Sequence, residues 1–254
     1  MNTSAELIDP PAATLAPPAT AAPPTRETST LRWRLAVPDD AEHLLRIYNE
    51  SIAGGGHSPM LTHATAQEIR AILARGRHKG WPLWVMAAPA DMASTADRGD
   101  GEGRPEDTAA AAPSTTPVAW AHMRSIVWAP DACRSTGDLW IYVAESWHGT
   151  GIAMRMIRRI FKECRRYGFD AVTCWILGVN HRSLSLARAC RLERWARMPD
   201  VVDYGGLRFD LEVWGCRLDD PVWLAYMDRL ERRHAGLERL RAVRAADAAP
   251  GLPA

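Results

Sequence analysis

The hydrophobic pattern between residues 31 and 218 changes period repeatedly, from two to about 3.6 and back. Residues 31–37 alternate and predict a short strand. Pro38-Asp39-Asp40 then opens a helix, with a proline in the first turn and carboxylates at its positive end. Ala41, Leu44, Leu45, Ile47 and Tyr48 form its apolar face, and Gly54-Gly55-Gly56 ends it. Thr65 and Glu68 have capping-box spacing and predict a second helix to about residue 77. Residues 81–88 and 118–127 predict the second and third strands. The stretch 138–167 is the most informative. Leu139, Ile141 and Val143 alternate with Trp140, Tyr142 and Ala144 in a fourth strand. A turn follows at His148-Gly149-Thr150-Gly151. Then Met154, Ile157, Phe161 and Cys164 recur at helical spacing, with Arg155, Arg158, Arg159, Lys162, Arg165 and Arg166 on the other side. Gly168 closes that helix.

Residues 171–177 read as a buried strand. Val179-Asn180 leads into a helix over 183–190. Residues 195–198 and 208–218 predict two last strands, with Asp203-Tyr204-Gly205-Gly206 as the turn between them. Asp219-Asp220-Pro221 caps a final helix over 222–245, whose apolar stripe (Leu224, Met227, Leu230, Leu237, Leu240) is intermittent. Two stretches fall outside this pattern. Residues 1–30 are Ala, Pro and Thr with repeated Pro-Pro pairs and predict a disordered tail. Residues 89–116 are a second low-complexity stretch, expected as a disordered insertion at a loop tip, where extra length costs little. The organisation is a tail at 1–30, a domain at 31–218 carrying the insertion, and a helix and tail at 219–254. The final helix can pack on the domain or pair with a second subunit.

Composition excludes several classes. The chain has 254 residues, enough for one good-sized core. Lys and Arg number 31 against 30 Asp and Glu, which gives no electrostatic footprint for nucleic acid. No apolar run is long enough to span a bilayer, and the N-terminus has no basic segment followed by an apolar one. Five cysteines, at 133, 164, 174, 190 and 216, show no metal spacing and read as free thiols of a reducing, cytoplasmic compartment. No metal site is expected.

The turn at 148–151 suggests anion binding. The first N–H groups of a helix have no partner within it, and the helix dipole favours negative charge there. Gly149 and Gly151 carry no side chain, so a pyrophosphate could approach the backbone. The same glycines also suit a plain turn with no ligand.

Val143, then His148-Gly149-Thr150-Gly151-Ile152-Ala153, resembles the acyl-CoA signature Gln/Arg-x-x-Gly-x-Gly/Ala of the GNAT acyltransferase superfamily, with His148 where Gln or Arg is usual. Asp210-Leu211-Glu212-Val213-Trp214 resembles the closing strand of its phosphinothricin N-acetyltransferase-like branch. The resemblance covers about 31–218. It implies an α/β (α+β) fold: a mixed, mostly antiparallel twisted sheet of about seven strands with four helices and a splayed central strand pair, to which the C-terminal helix is added. It implies acetyl-CoA as acyl donor, held by Ile141, Tyr142 and Val143 of the fourth strand, by His148, Gly149, Thr150, Gly151, Ile152 and Ala153 of the turn, and by Asn180 beside the pantetheine arm. The segment His57-Ser58-Pro59-Met60-Leu61 corresponds to a wall of the acceptor pocket.

The implied chemistry is acetyl transfer to the amine of a small molecule, an amino acid or a phosphinothricin- or methionine sulfoximine-like compound, by direct transfer in a ternary complex. An amine attacks only when neutral, so a carboxylate must take its proton. Asp138 aligns with the family's base, and Glu145 is an alternative in the turn. The leaving thiolate needs an acid. The family's Tyr or His falls here on Ala187, and its Leu-Gly-Phe/Tyr reads Cys190-Arg191-Leu192. Tyr204 is the candidate acid, with Tyr142 as a second. His122 and His181 receive no role. The alternative is a catalytically weak acyl-CoA-binding or protein-acetylating protein. The expected partner is a small-molecule amine, with no nucleic acid or membrane and with a homodimer left open.

Overall fold

The computed structural model describes residues 30–53, 55–89, 115–126 and 131–247. Seven strands form one sheet: β1 (Arg32–Leu35), β2 (Leu83–Pro89), β3 (Thr115–Ser125), β4 (Thr136–Val143), β5 (Ala171–Leu177), β6 (Glu193–Tyr204) and β7 (Leu207–Arg217). Their spatial order is β1-β2-β3-β4-β5-β7-β6. Every pairing is antiparallel except β4 with β5. Five helices accompany it: α1 (Ala41–Ala53), α2 (Ala66–Lys79), α3 (Ile152–Glu163), α4 (His181–Ala189) and α5 (Pro221–Asp247). The tail at 1–29 and insertion residues 90–114 lie outside the described residues. The insertion joins paired strand ends, because Pro89 sits opposite Thr115.

Register partners project to the same side of a sheet. Trp120, His122 and Arg124 of β3 therefore share a face with Tyr142, Trp140 and Asp138 of β4, and α1 lies on it, with the Tyr48 ring 5.0 Å from that of Tyr142. The opposite face carries Trp33 and Trp84. Both indoles donate to Glu163 Oε2, at 3.4 and 3.2 Å, and so fasten the end of α3 to β1 and β2. Met156 and Ile160 of α3 are fully buried there. The predicted capping box forms: Thr65 N–H donates to Glu68 Oε2 at 2.7 Å, and Glu68 N–H donates back to Thr65 Oγ1 at 3.3 Å.

β6 differs most from the pattern, running over twelve residues rather than four. It is an edge strand, exposed along most of its length, so no apolar alternation marks it. Ion pairs hold it to β7 instead, Arg197–Asp210 at 2.5 Å and Arg194–Glu212 at 3.6 Å. Two register shifts and Pro199 interrupt it, as edge positions allow.

The first half of α5 packs on the domain. Trp223 is buried, with its ring 5.0 Å edge-on to Phe161 of α3. Its Nε1–H donates to the Cys190 carbonyl at 3.0 Å, and the Tyr226 hydroxyl donates to the Ala189 carbonyl at 2.7 Å. These are carbonyls at the end of α4, which no later turn of that helix can bond. Arg191 follows with φ +53°, a left-handed conformation, and its guanidinium lies 4.2 Å from the Tyr226 ring centre. No described helix is long and apolar enough to cross a membrane.

Trp223→Ala is expected to cost about 3–5 kcal/mol in urea unfolding, the usual range for emptying a buried Trp site. A loss below about 1 kcal/mol would mean that α5 contributes nothing to the domain's stability.

Candidate active site

β4 and β5 run parallel yet pair at three positions only: Thr136 with Ala171, Gly137 with Val172 and Asp138 with Thr173. Beyond these, β4 keeps its bonds to β3 and β5 keeps its bonds to β7. The backbone of residues 139–143 and of 174–177 that faces across the gap has no strand partner. Such groups call for a ligand or water.

At the far end of the gap, a short 3-10 turn (Glu145–Trp147) leads to His148 and the start of α3. Gly149 and Gly151 have φ of +77° and +83°, a region that costs other residues about 1–2 kcal/mol. A Cβ on Gly151 would meet nothing within 4 Å, so the glycine is required by conformation, and the space beside the turn is open. The Gly151 carbonyl accepts from Arg155 N–H at 3.1 Å. The N–H groups before Arg155 are the first-turn donors that a helix leaves free. Thr150 Oγ1 donates to the Trp147 carbonyl at 2.7 Å and braces the turn.

Asp138 sits at the vertex of the gap and is fully buried. Its two oxygens are unequal. Oδ2 receives Trp140 Nε1–H at 2.7 Å, Arg124 Nε–H at 3.2 Å and Arg124 Nη2 at 3.2 Å. Oδ1 is buried with no partner in the protein. Desolvation raises the carboxyl pKa above its ordinary value, and the Trp140 and Arg124 contacts pull it back in part. The carboxyl thus has one oxygen anchored and one without a protein partner.

Arg124 also lies 5.4 Å from the centre of the Trp140 ring, within a ladder of rings on this face. Trp120 and His122 are 5.7 Å apart, and His122 and Trp140 are 6.1 Å apart. Desolvation, with help from Arg124, pushes the His122 imidazole down to about 3, so it stays neutral. Tyr142 is buried, its hydroxyl bonded to that of Tyr48, and its pKa is raised well above the ordinary value, by desolvation first. A donor phenol in that setting is held, not free. Ile141 and Val143 project to the opposite face, where they pack against the core. Glu145 is exposed, and its N–H donates to Glu50 Oε2 at 2.9 Å. His181 is exposed in the first turn of α4.

Asn180 and Tyr204 meet the segment at 57–61. Asn180 Oδ1 accepts Ser183 N–H at 3.0 Å and caps α4, while Nδ2 donates to the His57 carbonyl at 3.3 Å. The buried Tyr204 hydroxyl donates to the Ser58 carbonyl. The two side chains tie the segment to the start of α4 and the end of β6, with Met60 and Leu61 exposed beyond it. Ala187 is buried in α4 and supplies no proton. Sequence reasoning missed Arg124, Trp140 and Arg182. Arg124 stands out in the sequence as a cation within an apolar strand, but only the register places it on Asp138. Arg182 is placed at the turn by its contact with His148 alone.

An open seven-stranded sheet split between its fourth and fifth strands, with a glycine turn into a helix at the end of the split, is the fold of GNAT acetyltransferases. Solved structures that share it include the GNAT superfamily phosphinothricin acetyltransferase from Sinorhizobium meliloti in complex with acetyl-CoA, at 20% identity and TM-score 0.60, over 74% of this chain and 88% of that one. An N-acetyltransferase from Staphylococcus aureus Mu50 is similar at 20% identity and TM-score 0.61, over 75% and 100% of the two chains. A ribosomal-protein-alanine N-acetyltransferase from Brucella melitensis is similar at 20% and 0.58, over 73% and 99%. No protein-family model matches the sequence, and no curated protein aligns with it. Among the described residues no group of His, Cys, Asp or Glu could hold a metal ion.

A carboxylate whose pKa is raised on folding binds more protons in the native than in the unfolded state over that window. Stability therefore falls as pH rises through the folded pKa, and above it the full cost of the buried charge is present. Asp138→Asn is expected to match or exceed wild-type stability at pH 8, with the difference closing toward pH 4. A variant that is strongly destabilised at pH 8 would show that the charge holds the fold together.

Proposed function

We propose that the chain is an acetyl-CoA-dependent N-acetyltransferase acting on the amine of a small molecule, such as an amino acid or an amino-acid-like compound. The observation that carries this reading is the split between β4 and β5, with a free buried carboxylate oxygen at one end and an open glycine turn at the other. The residues present suit an acyl donor of this class. The N–H groups from Gly149 to Ala153 offer donors to a pyrophosphate. The backbone of Leu139 and Ile141 and the N–H of Val143 face the gap and offer partners to the amides of a pantetheine arm; the Tyr142 backbone bonds β3, and the Val143 carbonyl is taken by His148. Asn180 stands at the mouth, already committed to His57 and Ser183.

Asp138 takes a proton from the acceptor ammonium through Oδ1, directly or through one water. The amine nitrogen then attacks the thioester carbonyl carbon. A C–N bond forms and the C–S bond breaks, and the proton that the attacking nitrogen sheds on becoming an amide passes to the leaving thiolate, directly or through water. Backbone N–H groups of the split strand stabilise the oxyanion. Arg124 and Trp140 fix the carboxylate during this and favour its ionised form against the effect of burial. Tyr204 could protonate the thiolate only by releasing Ser58, so its resting role is to hold the acceptor wall. The five cysteines are all free, which fits a cytoplasmic setting. Ala187 favours a second reading, in which acyl-CoA is bound but transferred slowly or to a protein.

Isotopically labelled acetyl-CoA, offered with amino acids, phosphinothricin, methionine sulfoximine and polyamines and read by mass spectrometry, tests the reading. Transfer should fall about 10²–10⁴-fold in Asp138→Ala with acetyl-CoA affinity retained, while Gly151→Glu should abolish acetyl-CoA binding by calorimetry. Binding without transfer to any acceptor would favour the second reading, and unchanged binding by Gly151→Glu would remove the site.

A further inference from the structure

His148 lies between two groups of opposite hydrogen-bonding character. Its Nε2 is 3.0 Å from the Val143 carbonyl, and its Nδ1 is 2.9 Å from Arg182 Nη1. A carbonyl can only accept and a guanidinium can only donate. Nε2 must therefore carry the hydrogen and Nδ1 must be bare, which fixes His148 as a neutral imidazole with both nitrogens engaged. The contact spans the gap. Val143 ends β4, His148 opens the glycine turn, and Arg182 stands in the first turn of α4.

Several exposed arginines reach a carboxylate, such as Arg197 on Asp210 and Arg217 on Asp219, while Arg188 and Arg191 lie over the Trp214 and Tyr226 rings. Arg182 is exposed, has no carboxylate partner among the described residues, and rests on a neutral ring beside the turn. A guanidinium bonds a phosphate far more strongly than a neutral imidazole, through a charged and bidentate contact.

We propose that Arg182 is a phosphate ligand parked on His148, and that it moves from the imidazole to the pyrophosphate of an acyl-CoA when that substrate binds. This rests on the acyl-CoA reading above and names a binding residue that the turn itself does not supply. The exchange has a second consequence. Once Arg182 leaves, Nδ1 is bare beside a phosphate, so the ring takes up a proton more readily in the complex than in the free protein. Binding is then coupled to proton uptake and tightens as pH falls through the range in which the ring titrates. The charged groups that face His148 are Arg182 from α4, Glu145 from the turn, Glu50 from α1 and His57 from the segment between α1 and α2. Desolvation and Arg182 lower its pKa in the free protein, against the Val143 bond and the two glutamates.

The test is calorimetry of the full chain with acetyl-CoA, dephospho-CoA, pantetheine and inorganic pyrophosphate. Arg182→Ala should weaken acetyl-CoA, dephospho-CoA and pyrophosphate by about tenfold or more, leave pantetheine unchanged, and be partly restored by Arg182→Lys. Wild-type affinity for acetyl-CoA should rise from pH 8 to pH 6, and His148→Gln should flatten that slope while His57→Gln does not. Unchanged affinities in Arg182→Ala would overturn the proposal. So would an equal loss for pantetheine, or a loss for acetyl-CoA but not dephospho-CoA, which would assign Arg182 to the 3′-phosphate. Wild-type protein that binds pyrophosphate in an Arg182-dependent way but not acetyl-CoA would overturn the acyl-CoA reading and keep the phosphate site. Wild-type protein that binds neither would overturn both.

Discussion

The constraint on which the rest depends is the short parallel ladder between β4 and β5. Three register pairs, ending at Asp138 and Thr173, join the two halves of the sheet. Continuing the ladder would satisfy the gap-facing backbone of β4 but close the opening between β4 and β5. The strands diverge because each is committed elsewhere. β4 stays with β3 through Val143, and β5 stays with β7 through Leu177. Helix starts then fill the widening end, α3 after the glycine turn and α4 after Asn180. The opening is thus built from ordinary antiparallel pairing on both sides.

Asp138 at the vertex faces two opposed effects. Burial disfavours its charge, while Arg124 and the Trp140 indole favour it. Both partners bond the same oxygen, so the compensation is incomplete, and the free oxygen is where the remaining cost resides. An apolar residue would be the simpler choice for stability. His122 shows how the surroundings treat a titratable group with no such support: the same face holds its imidazole neutral. A buried carboxylate kept partly compensated beside a gap fits the proton-abstracting role proposed for Asp138.

Local signals carried much of this into the sequence. The alternation of 139–143, the glycine turn and the 3.6 period of α3 made the strand-turn-helix legible, because each is set by neighbours in the chain. The Thr65–Glu68 box formed for the same reason. What the sequence did not show depends on distant pairing. Arg124 meets Asp138 through the β3–β4 register, and β6 is held by ion pairs to β7 that carry no hydrophobic period. Asn180 was read as a cofactor contact; its bond to Ser183 is a local helix cap, whereas its bond to the His57 carbonyl depends on a segment more than a hundred residues away in the chain. Cys190-Arg191-Leu192 read as a departure from the family pattern. The structure gives a physical reason why it is tolerated: Arg191 takes the left-handed conformation that glycine normally supplies and lies on the Tyr226 ring.

That last contact ties the final helix to the mouth of the site. α4 has only nine residues, too few to be stable alone in water. Its N-terminal end is held by the Asn180 cap and its C-terminal end by Trp223 and Tyr226 of α5. Arg182 sits between these two anchors and reaches His148 across the gap. Loosening α5 should therefore let α4 fray from its C-terminal end and carry the effect to Arg182. In that sense a helix beyond the closing strand of the sheet belongs to the architecture of the proposed binding site.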